Sequence, residues 1–199
     1  EILDNAERHS SYEDRDGGWS LSAFMARREV QGEERFVCHF AILSLGATIA
    51  ESLEATAEGD MKEMLDDFVE ALRLSKAKQS RATLMTLAAL QDGVTRDGRA
   101  FNVLGGGYGF MSFVDSVNIL GLTNRSELAP QIPILSGRSC IRMRSPYIRG
   151  VRKEGQETRK QFFNRSNTAG EPPDESFVYD LPVHFPGTVI SAGFTLDPD

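Results

Sequence analysis

From Asp60 the chain places Met61, Met64, Leu65, Phe68, Val69 and Leu72 at steps of three and four residues, with Lys62, Glu63, Asp66, Asp67 and Glu70 between them. That spacing gathers the apolar residues on one side of an α-helix and the charged ones on the other. A helix of this kind must bury its apolar side, so the segment requires a partner layer elsewhere in the chain. Asp60 followed by Glu63 has the spacing of a capping box at the helix start. A second helix is expected from Ser80 through Leu84, Met85, Leu87, Ala88 and Leu90. It should stop before "QDGVTRDG", where Asp92-Gly93 and Asp97-Gly98 are turn signals.

Other segments read as strands. "RFVCHFAILSLGATI" (Arg35 to Ile49) is rich in β-branched and aromatic residues, which predicts a strand leading to a bend at Gly46, with a short helix as the competing reading. "CIRMRS" (Cys140 to Ser145) sets Cys140, Arg142 and Arg144 against Ile141 and Met143, so a strand there has one basic and one apolar face. "ESFVYDLPVHFPGTVISAGFTLD" (Glu175 to Asp197) predicts two strands joined by a Pro186-Gly187 turn, with Ile190, Ala192, Phe194 and Leu196 inward. Between them "NRSNTAGEPPDE" (Asn164 to Glu175) reads as a turn-rich, mobile loop, and the first twenty residues read as a flexible polar one.

With 199 residues the chain is long enough for one domain with a real core. No stretch of about 18 apolar residues is present, so no membrane partner is expected. The start, "EILDNAERHS", has neither the basic nor the apolar region of a secretory signal and no initiating Met. A cytoplasmic location is the expectation. Cys38 and Cys140 show no metal-ligand spacing and read as buried free thiols.

Catalytic chemistry finds little footing. His9, His39 and His184 are the only histidines, and none accompanies a nucleophile-elbow sequence. No cluster has metal-ligand spacing, and Cys38 and His39, being adjacent, would point to opposite faces of a strand. No cofactor, metal or catalytic residue is expected, and the chain reads as no enzyme.

Two features carry more information. "FNVLGGGYGFMSFVDSVNIL" (Phe101 to Leu120) contains three consecutive glycines without the Lys-Ser or Lys-Thr of a nucleotide-binding P-loop. A helix, a glycine loop and then a strand over "FMSFVDSVNI" would expose backbone amides at a sheet edge, where a phosphate backbone can lie. A tight crossover with a bulge would use the same glycines. The second feature is charge. The chain carries −7 overall, yet Arg138 to Arg165 holds seven arginines and two lysines against Glu154 and Glu157, a net +7 that leaves −14 for the rest. Arg138, Arg142, Arg144, Arg149, Arg152, Lys153, Arg159, Lys160 and Arg165 are interleaved with Tyr147, Phe162 and Phe163. Arginine offers forked donors to phosphate and aromatic rings offer stacking faces to bases, a combination suited to single-stranded nucleic acid. A solvated basic loop paired with acidic helices explains the same composition.

In this order, a helix running into "VLGGGYGFMSFVDSVNILGL", a basic insertion, and "RSNTAGEPPDESFVYDLPVHFPGTVISAGFTLD" with its P-x-G-T resemble the backbone subunits of CRISPR effector complexes. These belong to the RAMP superfamily, and the resemblance is particularly to the type IV form. The resemblance covers Leu90 to Asp197. It implies an α+β fold, a modified ferredoxin-like or RNA-recognition-motif palm with an inserted thumb hairpin. Residues 1–199 would form one palm domain, with 121–176 as the basic thumb-like insertion. The palm's first strand and its adjoining basic residues are not recognisable near Glu1. The implied role is binding guide RNA (crRNA), with copies of the chain stacked in a filament alongside complementary target nucleic acid and other effector-complex subunits. Gly105, Gly106 and Gly107 would lie under the guide, and the nine basic residues would touch it. Arg138 to Arg165 contains no Asp, the residue with which some relatives cut target RNA, so binding without cleavage is implied. The competing expectation is a viral or phage structural or assembly protein with a basic arm.

Overall fold

The computed structural model describes residues 18–30, 32–92, 94, 109–121, 129–148 and 159–196. Four strands, β1 (Trp19–Val30), β2 (Glu33–Leu45), β3 (Ile132–Met143) and β4 (Val178–Leu196), form one antiparallel sheet in the order β1-β2-β4-β3. Four helices, α1 (Ile49–Thr56), α2 (Gly59–Leu74), α3 (Arg81–Ala89) and α4 (Gly109–Leu120), lie between β2 and β3 in the chain. The fold is therefore α+β, with two hairpins joined along β2 and β4 and the helices on one side.

The amphipathic segment folds as expected into α2, burying Met61, Leu65, Val69 and Leu72. Its partner layer is α3, which is buried nearly all round and in turn contacts α1, β3 and β4. Ser80 caps α3, its hydroxyl accepting from the Thr83 amide. The capping box lies elsewhere than expected. Thr48 and Glu51 make both reciprocal bonds at the start of α1, whereas Glu58, the residue before α2, makes no side-chain capping bond and Asp60 lies in the first turn of that helix. β2 ends at Leu45, and Gly46 takes φ 133°, the bend expected there; the helix that follows was not foreseen.

Three expectations are corrected. "FMSFVDSVNI" is helix α4, not a strand. Met111, Val114 and Val117 are its buried apolar residues, at the three-residue step of a helical face, and the apolar, β-branched composition masked that period. Pro186-Gly187 is not a turn, because β4 runs unbroken from Val178 to Leu196. The ladder to β3 jumps from Gly137↔Phe185 to Ser139↔Asp180, so Pro182 sits in a bulge that asks for no amide donor. Pro186 lies just beyond the β2 ladder, which closes at Leu45↔Gly187. Finally, part of the stretch expected to form a thumb belongs to the main body. Within 121–176, β3 is a sheet strand with Ile132, Ile134, Ile141 and Met143 at most 1 % exposed. Phe163 is fully buried, and Phe162 stacks on Phe68 of α2 at 5.4 Å.

A polar network ties β4 to the helices. The Asp180 carboxylate accepts from the Ser80 amide at 2.7 Å, the Ser80 hydroxyl at 2.5 Å and the Thr83 hydroxyl at 2.6 Å. Burial pushes this carboxyl up, but the bonds from Ser80 and Thr83 and the charge of Arg138 outweigh it and hold it below the ordinary value. A depressed folded-state value gives stability that is present above the unfolded pKa of about 4 and is lost as pH falls below it. Asp180→Asn should therefore lower the melting temperature at pH 7 and flatten its decline between about pH 4 and pH 2. An unchanged acid limb in thermal melts would remove Asp180 as its source.

Candidate nucleic-acid interface

Strand alternation divides the sheet into a helix-covered face and one that is open among the described residues. Ala192 is 1 % exposed, whereas a Cβ on its neighbour Gly193 would lie 3.4 Å from the His39 ring. Gly193, His39 and its cross-strand partner Phe24 therefore share the open face. On β3 the covered face carries Ile134, Ser136, Ser139, Ile141 and Met143, and the other carries Cys140 and Arg142, with Arg144 one step past the strand end. The two-faced strand read from "CIRMRS" is thus present. Its arginines are about 7 Å apart along the strand.

Each of these arginines has a distinct setting. Arg138 donates from Nε to the Leu181 carbonyl at 2.9 Å and from Nη2 to the Pro182 carbonyl at 3.2 Å. It thereby satisfies acceptors that the β4 bulge leaves without a ladder partner. Arg142 lies beside Tyr179. A hydrogen bond with the Cys140 thiol and burial raise the Tyr179 hydroxyl pKa, and the Arg142 charge works against them. Arg144 places its guanidinium 5.3 Å from the Phe177 ring centre, and its Nε is buried without a hydrogen-bond partner. Among the described residues, none of the three forms an ion pair with a carboxylate.

Arg159 differs. Its Nη1 donates to both carboxylate oxygens of Asp115 at 2.8 Å, and its Nε and amide donate to Asp92 Oδ2 at 3.2 and 2.8 Å. Burial disfavours the Arg159 charge, but the two carboxylates hold the guanidinium protonated. This arginine bolts α4 to the segment after α3, and its Nη1, Nε and amide donors are taken. Lys160 is half-buried, and burial pulls its pKa down against the attraction of Asp92. Arg165 is exposed in the loop 164–175, which Asn164 organises by donating to the Thr168 and Glu171 carbonyls. Arg149, Arg152, Lys153 and the glycines Gly105, Gly106 and Gly107 lie outside the described residues.

Cys38 and Cys140 are free thiols and half-buried. His39 lies on β2 as expected, and His184 lies within β4. Among the described residues no group of three or more His, Cys, Asp or Glu could hold a metal ion, and no helix is long and apolar enough to cross a membrane. Sequence reasoning missed β1 and what it brings to the open face, Phe24 and Arg28. The alternation in "SLSAFMARREV" is broken by Ala and Met and ends in charge, so its signal was weak. No protein-family model, curated protein or solved structure matches the chain.

Proposed function

We propose that this chain is a non-catalytic subunit that binds single-stranded RNA across the open face of its sheet. The observation that supports this most is β3, where Arg142 and, one step past the strand end, Arg144 lie beside Tyr179 and Phe177 with Arg138 four residues back, all free of ion pairs among the described residues. A carboxylate-paired arginine such as Arg159 serves packing; an unpaired row is available to phosphates. On the resemblance in the glycine-triplet and P-x-G-T segments, the RNA is a CRISPR-type guide, and copies of the chain stack along it in a cytoplasmic ribonucleoprotein. The palm would then be a modified form of the ferredoxin-like fold, with its helices gathered between two hairpins instead of alternating as β-α-β-β-α-β.

Binding of a fluorescent single-stranded 12-mer RNA, followed from 50 to 300 mM salt, tests this. Three phosphate contacts on a single strand give a slope of about −2 in log affinity against log salt. Arg142→Glu with Arg144→Glu should weaken binding about a hundredfold, since two contacts are lost and two repulsions gained. Full affinity in that double variant sinks the site, and no binding by the native protein at 50 mM salt sinks the reading.

One observation favours the assembly-protein reading instead. β1 is an edge strand with Trp19, Leu21, Phe24 and Met25 between 42 and 62 % exposed, a surface suited to strand addition by another chain. Particles that form with a 260/280 nm absorbance ratio typical of protein alone would support it.

A further inference from the structure

We infer that the β1-β2 hairpin carries a second RNA contact, a base-stacking platform formed by Phe24 and His39 with Arg28 placed for the adjoining phosphate; this rests on the RNA-binding reading above. Three cross-strand rows define it: Phe24↔His39, Ala26↔Val37 and Arg28↔Arg35. The rows are two residues apart on each strand, so all six side chains project from the open face.

The Phe24 ring stacks on the His39 ring, with centres 4.8 Å apart and planes 23° from parallel, yet Phe24 is 58 % exposed. A ring held flat by one neighbour with its other surface in water has the form of a stacking face. Gly193, across the ladder from His39, removes the side chain that would crowd the far edge of the imidazole. The next row, Ala26 and Val37, is a low floor. The third sets two arginines directly opposite each other, about 13 Å along the strand from Phe24. Like charges in that position are destabilising in a sheet. Arg35 is engaged by Glu33, while Arg28 is exposed. Glu33 offsets that repulsion from the Arg35 side, which leaves Arg28 as the solvent-facing cation of the row; a phosphate laid against it would place its base along the strand toward Phe24. Aromatic stacking joined to an exposed guanidinium group favours a single-stranded nucleic acid over a protein strand, which would engage the outer edge of β1 and not its face.

The experiment compares two fluorescent 12-mers, oligo(U) and an abasic ribose-phosphate chain of equal length. The native protein should prefer oligo(U), Phe24→Ala should bind it about tenfold more weakly while binding the abasic chain unchanged, and Phe24→Tyr should retain the preference. Because Phe24 is exposed, its variants should melt as the native protein does. Loss of RNA binding in Arg142→Glu/Arg144→Glu alongside native-like oligo(U) binding by Phe24→Ala overturns this inference and leaves the β3 site standing. Equal weakening for both probes in Phe24→Ala overturns it as well. A dimer in analytical ultracentrifugation that Phe24→Ala dissociates, with oligo(U) affinity unaltered, would assign the face to a second copy. Absence of any native RNA binding removes the functional reading itself.

Discussion

Gly187→Ala is expected to prevent stable folding. Gly187 has φ 143°, in a region of backbone space that side-chain-bearing residues rarely enter. A Cβ there would lie 2.0 Å from the Ser44 carbonyl oxygen and 2.9 Å from the Leu45 Cα, and both are backbone atoms of β2. Neither can rotate away, so relief must come from parting the strands where Leu45 pairs with Gly187. Strain of about 1–3 kcal/mol for the dihedral, joined to a comparable cost for overpacking, approaches the whole stability of a domain of this size. Loss of the cooperative transition in circular dichroism would be the expected reading, with Gly32→Ala as the comparison. Gly32 also has positive φ, at 80°, but no atom lies within 4 Å of its Cβ position, so only strain is added there. A Gly187→Ala protein as stable as Gly32→Ala would contradict the close approach of β2 and β4.

The second large effect is expected at Arg159. Its replacement by Met keeps the apolar stem but strands Asp92, whose side chain is fully buried and whose Oδ1 already lacks a partner. Leaving such a carboxylate unpaired costs about 3–5 kcal/mol. The Gln91-Gln161 bonds beside it, with Nε2 donating to the Gln161 carbonyl and Oε1 accepting the Gln161 amide, should loosen with it. Asp92→Asn in the Arg159→Met background should recover most of the loss, because a neutral amide is far cheaper to bury. Urea denaturation of the two single variants and the double variant gives the coupling directly. If Arg159→Met costs under about 1 kcal/mol, the pair behaves as an exposed one.

Much of the helical layer was legible in the sequence. The period of Met61 to Leu72 is long and regular, and Ser80 ahead of an apolar run marks α3. The basic and apolar faces around Arg142 were equally readable, since a two-residue period needs only five positions to declare itself. Errors arose where a local signal has two physical uses. Proline followed by glycine serves a turn, but it also serves a bulged strand that gives up ladder bonds and needs a bare backbone against its neighbour. The apolar residues of α4 satisfied strand propensity while packing at helical spacing on β4. At the candidate interface, residue type marked Arg138 and Arg159 alike. Only geometry shows that one is held by carbonyls and the other by two carboxylates. Phe24 escaped notice because its partner, His39, comes from a different strand.

The seam between the hairpins also sets how the chain must reach its native state. β2 and β4 pair across about 150 residues of intervening chain, a separation that makes loop closure costly and folding slow. During synthesis β1-β2 emerges first, and its inner edge, with Val37, Ala41, Ile42 and Leu43, must wait for the last strand to be made. For that interval the growing chain exposes an apolar strand edge at each side of a two-stranded ribbon. Truncation anywhere before Gly187 would make the delay permanent, leaving a product prone to pair with other strands in the cell.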